Sequence, residues 1–231
     1  MTQTTSKNAK GKGGAKGKGK AWQPPKRRRS SAPLWWGLAV LLCVLAVAAV
    51  VVTRNGDKHT ATAKSETAPV TVTGAALPAF PETPTGADPA VGKAAPALRG
   101  TDFDGRPVTI GTDGKPKLVM FVAHWCPHCQ REVPLIAKWL DGGLPAGVEL
   151  YSVATSTSAQ QPNYPPSAWL AREGWKLPVL TDDEGSSAAQ AYGLTSFPYF
   201  VFIDANGKVV QRLAGEQPVS AIKAELAKLA T

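Results

Sequence analysis

Residues 121–129 read FVAHWCPHC, and this stretch decides the fold of the 231-residue chain. The apolar run 118–123 that leads into it is typical of a strand buried on both faces of a sheet. Proline favours the first position of a helix, so Pro127 predicts a helix from there to about Leu140. In that arrangement Cys126 occupies the helix N-cap, and Cys129 lies on the same side of the first turn.

The predicted helix start gives the two cysteines different tasks. An N-cap side chain faces the free N–H groups of the first turn, here those of His128 and Cys129, and these donors and the helix dipole favour an anion. The thiolate of Cys126 is therefore the predicted nucleophile, and Cys129 is predicted to resolve the mixed disulfide. A protonated His128 favours the thiolate further, and a stabilised reduced form makes the pair a better oxidant.

Other interpretations of a Cys-X-X-Cys pair find little support in the sequence. A zinc site needs about four ligands, and beyond the two thiols the chain offers only His59, His124 and His128. Covalent haem attachment needs a histidine directly after the second cysteine, where Gln130 stands. A purely structural disulfide would close a loop too small to stabilise the fold much. We therefore predict neither a metal nor another cofactor.

The basic excess of the chain lies at its N-terminus. The formal net charge is +9, but ten of the 26 Lys and Arg residues and none of the 17 acidic residues fall within residues 1–33. The remainder carries 16 basic and 17 acidic side chains and is close to neutral, which argues against nucleic-acid binding. Residues 1–33 are of low complexity and rich in Gly and Lys, so we expect a disordered basic tail.

A run of 19 uncharged, mostly apolar residues follows at 34–52. As a helix it would be about 28 Å long, close to the thickness of the bilayer's hydrocarbon core, and it predicts a single transmembrane helix. The basic residues 26–29 precede it, so the positive-inside rule predicts a cytoplasmic N-terminus and an extracytoplasmic remainder. A cleaved signal peptide is the alternative, although the run is long for one.

The rest of the chain divides into a linker and one folded domain. Residues 53–88 are rich in Thr, Ala, Pro and Gly without a sustained apolar period, which predicts a flexible linker. Residues 89–231 suffice for one domain and alternate predicted strands with helices. Asn206-Gly207 predicts a hairpin near the end, and Pro218 predicts the start of a last helix. This order indicates an α/β fold.

The stretch 121–129 resembles the active-site segment of the thioredoxin superfamily, and the wider sequence is similar to its membrane-anchored TlpA/ResA-like branch. Residues 91–98 and 192–204 support this resemblance, which covers 89–231. It implies a thioredoxin-like fold, with a central mixed sheet flanked by helices, and protein thiol–disulfide oxidoreductase activity. The dipeptide Pro127-His128, however, is the one found in DsbA-like oxidases rather than in typical TlpA-like reductases.

The resemblance also implies roles for further residues. Pro134 matches the proline that kinks the family's active-site helix. Pro198 matches the family's cis-proline, which implies a cis Phe197–Pro198 bond facing Cys126. The backbone of Phe197 would then pair with a bound substrate chain, and Trp125 joins these two as a predicted substrate-binding residue.

One position departs from the family pattern. Many thioredoxins and DsbA-like proteins bury an acidic residue six positions before the nucleophile as a proton relay, and Met120 stands there in this chain. The change argues against an efficient thioredoxin-like reductase. His124 offers a partial substitute, although a surface histidine is the simpler interpretation.

The sequence thus predicts a membrane-tethered oxidoreductase that acts on protein thiols or disulfides outside the cytoplasm and exchanges electrons with a membrane redox partner. The dipeptide Pro127-His128 favours an oxidase, whereas the membrane-anchored, TlpA/ResA-like sequence favours a reductase. The direction of electron flow therefore stays open. Two alternatives from other classes remain. One is a non-enzymatic adaptor that binds a partner in the groove at Phe197–Pro198, and the other is a thiol peroxidase.

Overall fold

A five-stranded mixed sheet forms the centre of the domain. The protein is represented by a computed structural model that describes residues 66–81 and 86–229. The strands are β1 (Thr71–Thr73), β2 (Ala97–Thr101), β3 (Pro107–Ile110), β4 (Lys117–Val122), β5 (Glu149–Ala154), β6 (Val179–Thr181), β7 (Tyr199–Ile203) and β8 (Val209–Ala214). The helices are α1 (Pro127–Leu140), α2 (Pro166–Arg172), α3 (Ser187–Ala191) and α4 (Val219–Leu229).

The strand order of the main sheet is β6-β5-β4-β7-β8. Strands β4, β5 and β6 are parallel, whereas β7 runs antiparallel to both β4 and β8. Every residue of the central strand β4 is buried, as the continuous apolar run predicted. The α/β class with a mixed central sheet is therefore confirmed. The C-terminal ends of β4 and β5 lie side by side, and Cys126 follows the end of β4.

Successive side chains of β4 build two cores, one on each face of the sheet. Leu118 and Met120 pack with the apolar side of α1, with α2 and with α4. Val119 and Phe121 pack on the opposite face with α3 and with the small sheet β1-β2-β3. Each fully buried side chain of this size contributes about 1.5–3 kcal/mol through burial. This packing fixes β4, and with it the start of α1.

Residues 66–81 pack against the domain, although the sequence predicted a flexible linker over 53–88. Strand β1 pairs antiparallel with β2, and the N–H of the buried Leu77 donates to Ala191 O over 2.8 Å. The Glu66 carboxylate accepts from the N–H of Ser167 over 3.0 Å and from its hydroxyl over 2.6 Å. The linker prediction is not met for this stretch, because backbone pairing and a few separated apolar contacts hold it without any apolar period.

Two predicted segments lie outside the described residues, namely the basic tail 1–33 and the transmembrane helix 34–52. Within 66–81 and 86–229, no helix has the length and apolar character needed to cross a bilayer.

Two turns show why glycine is needed at their positions. Gly105, with φ +79°, lies in the turn between β2 and β3. Gly207, with φ +78°, lies in the predicted turn between β7 and β8, where an added Cβ would come within 2.0 Å of the Thr112 hydroxyl. Glycine adopts positive φ without strain, and the second of these turns matches the hairpin predicted from Asn206-Gly207.

Candidate active site

The two cysteines lie where β4 ends and α1 begins. Cys126 is the N-cap of α1 with extended backbone geometry (φ −72°, ψ 120°), and Pro127 takes the first helical position. The N–H of Cys126 donates to Ala123 O over 3.0 Å, which closes the turn out of the strand. The side chain of Cys126 is 6% exposed, whereas that of Cys129 is fully buried. Both are free, buried thiols, and of the two only Cys126 keeps any exposure to solvent.

The surroundings of Cys126 favour its thiolate. The Cys126 side chain makes no capping hydrogen bond within α1. A hydrogen bond from the Cys129 thiol, assisted by the amides of Cys129 and His128 and by the His128 ring, nevertheless lowers the pKa of Cys126 to about 5. Burial opposes this shift but does not overcome it. At neutral pH the sulfur of Cys126 is therefore an anion and a ready nucleophile.

Cys129 has the opposite environment. Burial raises its pKa far above the usual range, and its hydrogen bond to Cys126 and the charge of Glu132 act in the same direction. Cys129 therefore stays a thiol and donates its proton toward the Cys126 thiolate. The two sulfurs thus differ strongly in acidity, as expected for an attacking and a resolving cysteine.

Glu132 is a buried acid beside this pair that sequence analysis did not single out. Its side chain is 1% exposed, and Oε1 accepts from the N–H of Gln217 over 3.0 Å. Its Oε2 has no hydrogen-bond partner among the described residues. Burial raises the pKa of Glu132 to about 7, so it can hold or release a proton at neutral pH.

The sequence position of Glu132 indicates that it lies near the cysteines, although the family pattern places the acid six residues before Cys126. Glu132 lies three residues after Cys129, hence on the same face of α1 one turn later. Met120, where the family's acid was sought, is fully buried in the apolar core. A glutamate on the face that also carries Val133 and Ile136 was the available clue, since glutamate is rarely fully buried without a role or a partner.

The residues predicted to bind substrate come together beside Cys126. The Phe197–Pro198 bond is cis, as predicted, and Phe197 O lies 4.0 Å from the Cys126 sulfur. The ring of Trp125 meets that of Phe197 edge-on, with 5.8 Å between centroids. Trp125 also donates its indole N–H to Ser156 O over 2.8 Å, which fixes the ring at the rim of the site.

His124 is buried, contrary to the surface histidine that sequence analysis preferred. It is 1% exposed, its Nδ1 lies 2.7 Å from Pro162 O, and its Nε2 accepts from the N–H of Ser158 over 3.2 Å. These two contacts define a neutral ring with its proton on Nδ1. Burial lowers the pKa of His124, which agrees with the neutral form. His124 therefore anchors a loop, and none of these contacts links it to Cys129.

His128 lies in an exposed charged group with Arg131 and Glu216. Its Nδ1 lies 2.8 Å from Arg131 Nη2 and 3.1 Å from Glu216 Oε2. Arg131 also donates to Glu216 Oε2 over 2.7 Å, and this ion pair lowers the pKa of Glu216 to about 2. Sequence analysis considered His128 alone, because Glu216 is distant in the chain and reaches α1 only through the fold.

Pro134 lies inside α1, as the resemblance implied. Among residues 66–81 and 86–229, no cluster of three or more His, Cys, Asp or Glu side chains is arranged to hold a metal ion.

The Redoxin family matches residues 90–226. A relative named thiol-disulfide oxidoreductase ResA, from Bacillus thuringiensis (strain Al Hakam), is 29% identical over 141 residues, 60% of this chain and 78% of the relative. A relative of the same name from Geobacillus thermodenitrificans (strain NG80-2) is 30% identical over 139 residues, 59% of this chain and 76% of the relative.

The fold is also found among solved structures. The thioredoxin domain of a thiol-disulfide oxidoreductase from Bacteroides vulgatus aligns with a TM-score of 0.51 and 23% identity. The alignment covers 62% of this chain and 99% of that one. The chain therefore belongs to the Redoxin family, as a TlpA/ResA-like protein thiol–disulfide oxidoreductase of the thioredoxin superfamily.

Proposed function

We propose that the chain is a membrane-tethered enzyme that exchanges disulfides with protein substrates outside the cytoplasm. Cys126 forms the mixed disulfide with the substrate, either by attacking a substrate disulfide or by being attacked by a substrate thiolate, and Cys129 resolves it. The observation that carries this proposal is the contrast between the acidic thiol of Cys126, which keeps a small exposure to solvent, and the fully buried, weakly acidic thiol of Cys129. The groove at Trp125, Phe197 and Pro198 supports a peptide substrate lying beside Cys126.

In the oxidising direction a substrate thiolate attacks Cys126 of the Cys126–Cys129 disulfide. The intramolecular S–S bond breaks, a substrate–Cys126 bond forms, and the electron pair passes to Cys129, which takes up a proton. Glu132 supplies that proton in our proposal, because its raised pKa leaves it partly protonated at neutral pH. A second substrate thiolate then attacks the substrate sulfur and releases Cys126 as a thiolate.

Together these reaction steps form one substrate disulfide and reduce one enzyme disulfide. A membrane redox partner must then remove two electrons from the Cys126–Cys129 pair, and the same steps run backwards if that partner supplies electrons instead. The low pKa of Cys126 favours the oxidising direction, because it stabilises the reduced enzyme and makes Cys126 a good leaving group.

Trapping tests the assignment of the two cysteines. A full-length Cys129→Ser variant expressed in cells is expected to accumulate mixed disulfides between Cys126 and substrate proteins, visible on non-reducing gels. The double variant Cys126→Ser/Cys129→Ser is the control and should trap none. Equal trapping by both variants would contradict the assignment, and full activity of Cys126→Ser would favour the adaptor instead.

Redox titration tests the direction. The full-length protein is equilibrated with glutathione buffers, and the fraction of Cys126–Cys129 disulfide is measured by alkylation and mass. We expect a reduction potential above about −200 mV, in the range of oxidising thioredoxin-fold proteins. A value well below that would exclude the oxidase and leave the reductase.

Fractionation tests the tether. The uncharged run 34–52 and the basic residues before it support an anchor with the domain outside. The protein is expected to sediment with membranes after carbonate washing, and protease added to spheroplasts should remove the domain. Recovery of the full chain in the soluble fraction would contradict the anchor.

A further inference from the structure

The three residues that follow β8 contact three different parts of the active site. The N–H of Gly215 donates to Pro198 O over 2.8 Å, and the N–H of Gln217 donates to Glu132 Oε1 over 3.0 Å. Glu216 lies between these two anchors, and its carboxylate meets Arg131 and His128. The backbone contacts on either side therefore fix where the Glu216 carboxylate lies relative to the start of α1.

The charged group can satisfy His128 in either charge state. A guanidinium only donates, so the neutral imidazole accepts from Arg131 at Nδ1 over 2.8 Å. When the ring is protonated, Nδ1 instead donates to Glu216 Oε2, which lies 3.1 Å away, and Arg131 Nη2 must then move off the ring, because both groups are donors. Arg131 keeps the Glu216 carboxylate in place in both cases through its bonds of 2.7 Å and 3.1 Å to Oε2.

Stability does not account for this arrangement. The side chains of His128, Arg131 and Glu216 are 55%, 54% and 38% exposed, and ion pairs at such exposure contribute about 0–1 kcal/mol to folding. Their charges do reach the nucleophile, however. The His128 ring favours the Cys126 thiolate, and the Cys126 thiolate in turn favours the charged form of Arg131.

We propose that Glu216 is a positioning residue that holds and partly neutralises the cations of Arg131 and His128 beside the Cys126 sulfur, and so limits how oxidising the pair is. The oxidising direction rests on the proposed function, whereas the effect of Glu216 on the acidity of the Cys126 thiol does not. The cations stabilise the thiolate of the reduced enzyme and have no charge to stabilise in the disulfide. A carboxylate that offsets them therefore favours the disulfide form.

The test uses full-length protein in detergent with Glu216→Gln, Arg131→Met, the double variant, and Glu225→Gln as the matched control. Glu225 pairs with Lys228 over 2.8 Å on α4, six residues after that helix begins. Two quantities are measured for each protein. One is the pH midpoint of Cys126 alkylation, and the other is the equilibrium constant for reduction of the enzyme disulfide by two glutathione molecules, which become one oxidised glutathione.

We expect Glu216→Gln to move the alkylation midpoint to lower pH and to raise the reduction constant about twofold to fivefold, the range of an exposed ion pair. Arg131→Met should shift both quantities in the opposite sense. The double variant should return close to wild type, because it removes one charge of each sign, and Glu225→Gln should change neither quantity.

No change in Glu216→Gln, a change of the opposite sign, or an equal change in Glu225→Gln would overturn the proposal. Arg131→Met keeps the proposal testable if Glu216→Gln does not fold, because its expected shift has the opposite sign and uses a different residue. Failure here is distinguishable from failure of the proposed function. Trapping by Cys129→Ser with an unresponsive Glu216→Gln would sink only this inference, and shifted thiol chemistry without trapped substrates would sink only the function.

Discussion

The two cysteines differ in acidity because one sulfur lies at the start of a helix and the other lies in the core. Cys126 lies at the N-terminus of α1, where free amides and the helix dipole favour negative charge. Cys129 is one turn inside and fully buried, so its ionisation would place a charge in the core. A shift of one pKa unit corresponds to about 1.4 kcal/mol, so opposite shifts separate the two thiols decisively.

This separation predicts the pH dependence of alkylation. Of the two active-site thiols in the reduced protein, only Cys126 should react with iodoacetamide, with a midpoint near pH 5, because burial keeps the Cys129 thiol protonated and inaccessible. Mass spectrometry of the modified peptide checks which sulfur reacts. In Cys129→Ser the midpoint should stay well below pH 9, since the amide donors and His128 remain. A wild-type midpoint near 8.5, typical of a free cysteine, would contradict the prediction.

Glu132 predicts a pH dependence of stability with a definite sign. Its pKa is raised to about 7 in the folded protein from 4.5, so the folded state binds the proton more tightly than the unfolded state. Its contribution is therefore full below pH 4.5 and is lost as the pH rises through 7. Between these values the free energy of unfolding should fall by about 3 kcal/mol on this account.

The measurement is urea unfolding of the oxidised protein, in which neither cysteine titrates, between pH 4.5 and pH 8. Glu132→Gln should remove most of this pH dependence, because the amide is neutral and its carbonyl still accepts from the N–H of Gln217. Glu173→Gln is the control and should keep the wild-type slope, because Glu173 is only half-buried and pairs with the exposed Arg172. Equal slopes in wild type and Glu132→Gln would show that Glu132 titrates normally.

At the scale of elements, the β4–α1 unit could be predicted almost fully from the sequence. The apolar run of β4, Pro127 at the first helical position and the cysteine spacing each reflect local rules. The glycine turns are equally local. The cis bond at Pro198 could be predicted only from the family resemblance, because a trans bond is the usual state before proline.

Other parts of the site depend on contacts between distant segments and could not be predicted. His124 adjoins the active-site segment, but its burial is produced by the loop 156–164, which closes over it. The order of residues 66–81 likewise arises from pairing with β2 and α3. Glu216 reaches His128 only because β8 ends beside α1. In each case the local sequence is polar or irregular, and the partner lies at least 24 residues away.

The loop 156–164 predicts a cost for replacing His124. In His124→Phe the ring keeps its size, but the N–H of Ser158 and the carbonyl of Pro162 lose their partner. Ser158 is half-buried and Pro162 is exposed, so water can replace part of the lost hydrogen bonding, and the free energy of unfolding should fall by about 1–2 kcal/mol. Tyr164→Phe is the matched control, because it keeps the ring beside His124. A loss below 0.5 kcal/mol in His124→Phe would mean that the loop does not depend on the histidine.

For the whole molecule, the N-terminal segment ties together elements that are distant in the chain. Glu66 contacts the start of α2, β1 extends the small sheet, and Leu77 packs against α3. The segment then reaches β8, where Arg212 donates to Pro78 O over 2.8 Å. The folded unit therefore begins at or before residue 66 and includes the segment 66–81 in addition to the region 89–231 that carries the family resemblance.

Arg212 joins the N-terminal segment to β8, and we expect its replacement to cause the largest loss of stability. Its side chain is 1% exposed, its Nε donates to Asp88 Oδ2 over 2.7 Å, and its guanidinium lies 5.4 Å from the centre of the Phe80 ring. Arg212→Met leaves the Asp88 carboxylate without its cation and frees the segment at Pro78. Breaking a buried ion pair by removing one partner costs about 3–5 kcal/mol.

Urea unfolding of Arg212→Met should show that loss, and limited proteolysis should cut within residues 66–88 before the rest of the domain. Arg172→Met, which removes an exposed partner of Glu173, should change stability by less than 1 kcal/mol. The double variant Arg212→Met/Asp88→Asn should recover part of the loss, because it no longer holds an unpaired charge. A single variant as stable as wild type, or one cut first outside 66–88, would contradict the role of Arg212 as the residue that joins the N-terminal segment to the sheet.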